Sequence, residues 1–254
     1  MTRKSLPAAE PATRHRILWD DQRRSRHGDS TAHRGVTAVA LGVVLAMALG
    51  LAGPPAAAQT TAPVSRTQAL QGLTHPDPTR RLAAVQRLGA VGTMADNERL
   101  ARSLRDADES VREAAEAALW SMWMRSGDKG VDQLAERATA LMQAGDLAPA
   151  LALFSEVIRL RPAFAEGWNK RATVLYLLGR DEESLRDCDE VLRRNPLHFG
   201  ALGGMAQIHF RQGDAVRALA AYERALDVNP NLDGGREFRE LLDKLARAQR
   251  AGRT

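Results

Sequence analysis

Residues 165–198 read AEGWNKRATVLYLLGRDEESLRDCDEVLRRNPLH, and residues 199–232 read FGALGGMAQIHFRQGDAVRALAAYERALDVNPNL. Set one above the other, the two share a glycine (Gly179, Gly213), a polar residue after it (Arg180, Asp214) and a proline (Pro196, Pro230). The stretch before them, 131–164, carries the same marks at Gly145, Asp146 and Pro162. Two independent punctuation marks that keep an interval of 34 residues through three copies mean one supersecondary unit stacked three times. Within each unit an apolar helical stretch ends at the glycine, which can take the left-handed conformation that closes a helix. Asp146 and Asp214 suit the start of the next helix, because a carboxylate there accepts orphan amide protons. The proline cannot continue that helix and fixes the turn into the next unit.

Side-chain size follows the same period. Ala138, Ala172 and Ala206 are equivalent on the first helix, and Ala150, Ser184 and Ala218 on the second. Small residues at both places let the two helices approach closely. Leu151, Leu185 and Leu219, then Phe154, Cys188 and Tyr222, then Ile158, Leu192 and Leu226 fill the seam at i, i+3 and i+7, one face of a helix. The spacing predicts an all-α fold, an α-solenoid of stacked helix–turn–helix repeats over residues 131–232. A further helix over 233–247, with Phe238, Leu241, Leu242 and Leu245 on one face, would cover the last unit, as a stack requires. Residues 248–254 read as a disordered tail.

These three units resemble tetratricopeptide repeats, a helix–turn–helix family of 34-residue units. Trp168, Gly179, Leu185 and Pro196 fit the family pattern in the second unit, Ala150, Phe154 and Pro162 in the first, and Ala218, Tyr222, Ala225 and Pro230 in the third. Arg171 stands where the family has leucine, and His209 where tyrosine is common.

A second, shorter repeat lies upstream. Leu73–Gly89 and Leu104–Trp120 align at an offset of 31 residues, pairing Asp77 with Asp108, Arg81 with Arg112, Ala84 with Ala115 and Leu88 with Leu119. Each copy is an acidic turn, a helix start, an arginine and a small/large apolar stripe. The pair, over 67–126, resembles short HEAT-like helical repeats. Two copies are few for independent stability, so they are expected to pack on the downstream array through Trp120, Met122, Trp123 and Met124.

The N-terminal 58 residues have another composition. Val36–Gly53 is a near-continuous apolar run that follows Arg23, Arg24, Arg26 and Arg34 and leads to Ala56-Ala57-Ala58-Gln59. A basic flank, an apolar core and a small-residue ending make a secretory signal peptide, cleaved between Ala58 and Gln59, with a linker over 59–66. The run is also near the lower length limit for crossing a bilayer, so an uncleaved anchor over 36–53 is the other reading. A periplasmic or secreted location follows from the first, and an inner-membrane location from the second. Residues 1–58 hold eight of the 36 Lys/Arg and four of the 31 Asp/Glu, which leaves 28 basic and 27 acidic residues beyond them. The net charge of +5 therefore belongs mostly to the leader, and the remainder lacks the charge excess that nucleic acid demands. A membrane contact is expected only if the apolar run is retained.

Signatures of chemistry are sparse. The chain has no phosphate-cradling glycine loop, no His-Glu-x-x-His and no Gly-x-Ser-x-Gly. His75, His198 and His209 have no second ligand at metal spacing. Cys188, the single cysteine, occupies the slot of Phe154 and Tyr222 and reads as a buried, inert thiol. The expectation is a protein without enzyme activity, catalytic residues, metal or cofactor.

The family resemblance implies where a partner would bind. Its members line the concave face with first-helix residues, which here are Ala135, Thr139 and Met142, then Asn169, Thr173 and Tyr176, then Gly203, Gln207, Phe210 and Arg211. The expected groove residues are Asn169, Thr173, Tyr176, Gln207, Phe210 and Arg211: flat apolar contacts, amide hydrogen bonds and one forked cation. That chemistry suits an extended peptide or a helix of a protein partner. Carboxylate-clamp members of the family carry Lys and Asn at the positions of Ala135 and Thr139, so recognition of that kind is not implied.

Overall fold

The computed structural model describes residues 64–232 and 234–252. The leader, the apolar run 36–53 and the Ala58–Gln59 junction lie outside the described residues. No helix among the described residues is long and apolar enough to cross a membrane.

The downstream array is three hairpins: α5 (Lys129–Ala144) with α6 (Leu147–Leu160), α7 (Ala165–Leu177) with α8 (Asp181–Arg194), and α9 (Phe199–Arg211) with α10 (Ala215–Val228). Each closes in the same way. Gly145, Gly179 and Gly213 sit at φ +88°, +73° and +75°, where a side chain would be strained. The next amide then reaches back five residues: Asp146 N–H to Leu141 O, Arg180 N–H to Leu175 O and Asp214 N–H to His209 O, at 2.9, 2.8 and 2.9 Å. This is the Schellman closure, which satisfies carbonyls left over at a helix end. Asp214 also accepts from Arg217 N–H and caps α10, whereas Asp146 caps nothing with its side chain.

Close approach within each hairpin rests on the small residues. Ala138, Ala150, Ala172, Ser184, Ala206 and Ala218 are all fully buried. The Ser184 hydroxyl, alone among the six in being polar, donates to Ala172 O at 2.7 Å and so crosses the hairpin satisfied. At the far end of each second helix, Asn195 and Asn229 accept from the amide two residues on and turn the chain into the next unit.

Upstream stand two more hairpins, α1 (Arg66–Gly72) with α2 (Pro78–Val91) and α3 (Asn97–Arg102) with α4 (Glu109–Trp123). Asp77 and Asp108 cap α2 and α4 at equivalent places. Val85, Leu88, Leu100, Leu104, Val111, Ala115 and Leu119 form their core with no exposure at all. Gly89 lets α2 touch α4, since a β-carbon there would stand 3.0 Å from Ala118.

The upstream pair packs on the turns of the second and third repeats. Trp123 Nε1 donates to Asn97, and Asn97 Nδ2 donates to Asn195, both at 2.8 Å. One repeat on, Asn229 Nδ2 donates to Glu116 at 2.8 Å. Arg105 adds bonds to the carbonyls of Asp227 and Val228, and Asn231 donates to Leu104 O. Trp120 and Trp123 close over His198 and Phe199 in an aromatic cluster. The junction expected from the Trp/Met segment thus exists: Met122 and Trp123 are buried, and Trp120 and Met124 are half-buried.

The last helix, α11, runs Gly235–Ala251, so residues 248–251, expected in the tail, are helical; residues 253–254 lie outside the described residues. Its final turn is held because Gln249 accepts from Val216 N–H and donates to Gly213 O, each at 3.3 Å, against the third repeat. Leu242 and Ala246 are the side chains it buries.

Candidate partner-binding groove

The six expected groove residues divide into a buried set, the floor, and a more exposed set, the lip. Asn169 and Thr173 are buried in the floor, one turn apart near the middle of α7. Thr173 Oγ1 donates to Asn169 O at 3.0 Å, a bond back along its own helix. Asn169 Nδ2 donates to both carboxylate oxygens of Glu166 at 3.2 Å, while its Oδ1 is buried without a hydrogen-bond partner.

Glu166 is the centre of this floor. It accepts from His198 Nε2 at 3.0 Å and pairs with Lys170 Nζ at 3.5 Å, with all three side chains buried. The His198 tautomer follows from its other bond: Nδ1 accepts from Ala201 N–H at 3.1 Å and caps α9, so the proton sits on Nε2. Burial alone would raise the Glu166 carboxyl; Lys170, His198 and Asn169 outweigh it and hold the carboxyl below its ordinary range. Trp123 stacks on His198 with centroids 4.6 Å apart, so the floor and the junction with the upstream pair share a residue. Sequence reasoning missed Glu166 and Lys170. Their spacing of four on a helix is a signal, but an ordinary one for a solvated pair.

The lip lies toward the C-terminal ends of the first helices. The guanidinium of Arg211 lies over the Tyr176 ring at 3.8 Å, and both of its terminal nitrogens donate to Tyr176 O at 3.2 Å. Its Nε donates to Asp181 at 3.1 Å. The forked cation therefore acts as a clasp between the second and third repeats. Gln207 is half-buried beside it. Phe210 is 39 % exposed and meets Phe238 of α11 edge to face at 5.7 Å, which places it at the boundary between groove and cap. Met142, Tyr176 and Phe210 recur at the repeat interval, one adaptable or flat apolar side chain per unit, and none is fully buried.

Cys188 is fully buried, and burial with the nearby Asp187 and Asp189 carboxylates pushes its thiol far above the usual range. Among the described residues, no group of three His, Cys, Asp or Glu is placed to hold a metal ion.

Comparison with known proteins gives one consistent result. A family model described as tetratricopeptide repeat matches residues 136–190 and 183–233. A TPR repeat-containing protein of Rhizobium etli is 35% identical over 150 residues, 59% of this chain and 71% of that protein. The Hsp70-Hsp90 organizing protein of Triticum aestivum is 28% identical over 103 residues, 41% of this chain and 18% of that protein. Among solved structures, the Sgt2 TPR domain from Aspergillus fumigatus shares 20% identity over 50% of this chain and 84% of its own, with a TM-score of 0.45.

Proposed function

This chain belongs to the tetratricopeptide repeat family, a protein-interaction fold, and from that premise we propose that it is an exported, non-enzymatic adaptor that assembles envelope proteins. The partner is a peptide or helix held along the groove lip. The recurrence of Met142, Tyr176 and Phe210, incompletely buried at the repeat interval, is the observation that carries this reading, because a row of apolar contacts spaced along an array suits an elongated ligand. The buried floor supports it from below. Side chains locked by ion pairs and hydrogen bonds lose little freedom when a ligand settles on them. The relative from Triticum aestivum is named for organising Hsp70 and Hsp90, but this chain carries Ala135 and Thr139 at the clamp positions, which favours a ligand recognised by apolar side chains.

A photo-crosslinking residue placed at 210 tests the groove. In cells it should join covalently to a defined partner segment, while the same residue placed at Arg224, on the exposed side of α10, should not. Equal capture at both positions would defeat the reading. Export rests on the sequence of the leader. A native N-terminus at Gln59 supports an exported adaptor, whereas a chain that keeps residues 36–53 makes it a membrane-tethered accessory subunit instead.

A further inference from the structure

The two upstream hairpins form the start of a ladder in which the arginine of the first copy, Arg81, joins its own turn to the acidic turn of the second. Arg81 Nη1 donates to the carbonyls of His75 and Pro76, both at 2.9 Å. Its Nε and Nη2 then take both oxygens of Asp106 at 2.8 and 2.7 Å. Asp106 in turn accepts from Asp108 N–H at 2.9 Å, so one carboxylate both shapes the second turn and receives the first arginine. Arg112 repeats the first half of this arrangement at the offset of 31: Nη1 donates to the carbonyls of Asp106 and Ala107 at 2.9 and 3.1 Å. A third copy would supply the next carboxylate. The chain instead enters α5 at Lys129, and Nε and Nη2 of Arg112 have no hydrogen-bond partner among the described residues.

On its own helix, exposed Glu109 makes no bond to Arg112, and the acids four residues to either side have partners elsewhere. Asp108 Oδ1 accepts from Ser110 N–H, the Ser110 hydroxyl and Val111 N–H. Glu116 accepts from Asn229 across the junction. Arg112 is half-buried, and its guanidinium is already fixed by two carbonyls, so its open edge is pre-organised as the Arg81 edge is. We infer that Arg112 is a binding site for a carboxylate, filled by the aspartate of an Asp-x-Asp turn on a protein partner that continues the ladder. This surface is separate from the groove lip and does not depend on what the groove binds. Two parallel charge-assisted bonds to a planar fork give such a site both strength and orientation.

The test uses the full chain uniformly labelled with nitrogen-15, reading each arginine Nε–Hε resonance and the backbone amide of Val111 beside Arg112. The probes are acetyl-Asp-Ala-Asp-amide, a copy of the turn at residues 106–108, and sodium acetate at matched ionic strength. The Arg112 resonance should shift saturably with the peptide at about tenfold lower concentration than with acetate, because only the peptide presents the turn. Arg81, already bonded, should stay still, and exposed Arg80 should show only a weak linear drift. In Arg112→Lys, which keeps the charge and loses the fork, the saturable response should vanish from the Val111 amide. No saturation at Arg112, equal shifts at Arg80, or equal potency of acetate and peptide would each overturn the assignment.

Discussion

The indole of Trp120 rests on the α-carbon of Gly200, across the junction between the upstream hairpins and the third repeat. A methyl group at Gly200 would come within 2.5 Å of Trp120 Cη2 and 3.1 Å of Cζ2. The ring has little room to yield, because Trp123, His198 and Phe199 meet it edge-on with centroids 5.3, 5.4 and 5.3 Å away. Gly200→Ala is therefore expected to lower stability by about 1–3 kcal/mol, the cost of overpacking a filled interface. Urea unfolding followed by tryptophan emission measures it, and an unchanged midpoint with unchanged emission would count against a tight junction.

His209 offers the opposite sign. It is buried, and its Nδ1 has no hydrogen-bond partner. The equivalent residues one and two repeats earlier are Leu175 and Leu141. His209→Leu removes a buried orphan polar atom and puts the apolar residue of the other repeats in its place, so stability should rise by about 1 kcal/mol. Differential scanning calorimetry would show a higher Tm; a lower one would mean that the imidazole makes a contact worth more than its desolvation.

Acid should weaken the fold through the groove floor. Glu166 has a folded-state pKa below its ordinary 4.5, so unfolding near that pH takes up a proton. Its contribution is complete above the ordinary value and is lost as pH falls through the lower, folded one. Asp106 and Asp96, held down by Arg81 and Arg66, act in the same direction. Glu166→Gln leaves Lys170 buried without its counter-charge and should cost about 3 kcal/mol at neutral pH. It should also flatten the decline of stability between about pH 5 and 3 relative to the unchanged chain. Parallel pH profiles for the two proteins would refute this role.

Cys188 should report global opening. Its thiol is fully buried and its pKa is raised by burial, so the thiolate that reacts is nearly absent from the folded chain. Labelling by a disulfide reagent at pH 8 is expected to be slow in buffer and to accelerate with urea in step with the loss of helix signal. Fast labelling without denaturant would place the thiol at the surface.

Much of this architecture is legible in the sequence because backbone geometry demands particular residues at particular places. Gly145, Gly179 and Gly213 are needed where φ is positive, and the small residues from Ala138 to Ala218 are needed where helices touch. The 31-residue offset marks the upstream hairpins for the same kind of reason: Asp77 and Asp108 cap, and Arg81 and Arg112 brace the turns. Periodicity does not say which turns a neighbouring unit will grip. Traces of the docking are present: Asn195 and Asn229 recur where the first repeat has Arg161, and Gly200 leaves room for Trp120. Within the groove, the positions follow from helical register, but their use does not. Arg211 is drawn into a clasp by Asp181, and Asn169 into the floor by Glu166; both partners are ordinary surface residue types in sequence.

The docking of the upstream hairpins on the later repeats also sets a schedule for synthesis. Asn97 waits for a partner 98 residues further along, and Glu116 for one 113 residues further. At ordinary ribosomal speeds of roughly 5–20 residues per second, that is a delay of about 5–20 s during which the tryptophan face of the early hairpins has emerged without its cover. Translation therefore delivers a sticky intermediate before it delivers the surface that shields it, and holdase chaperones have a defined interval in which to act.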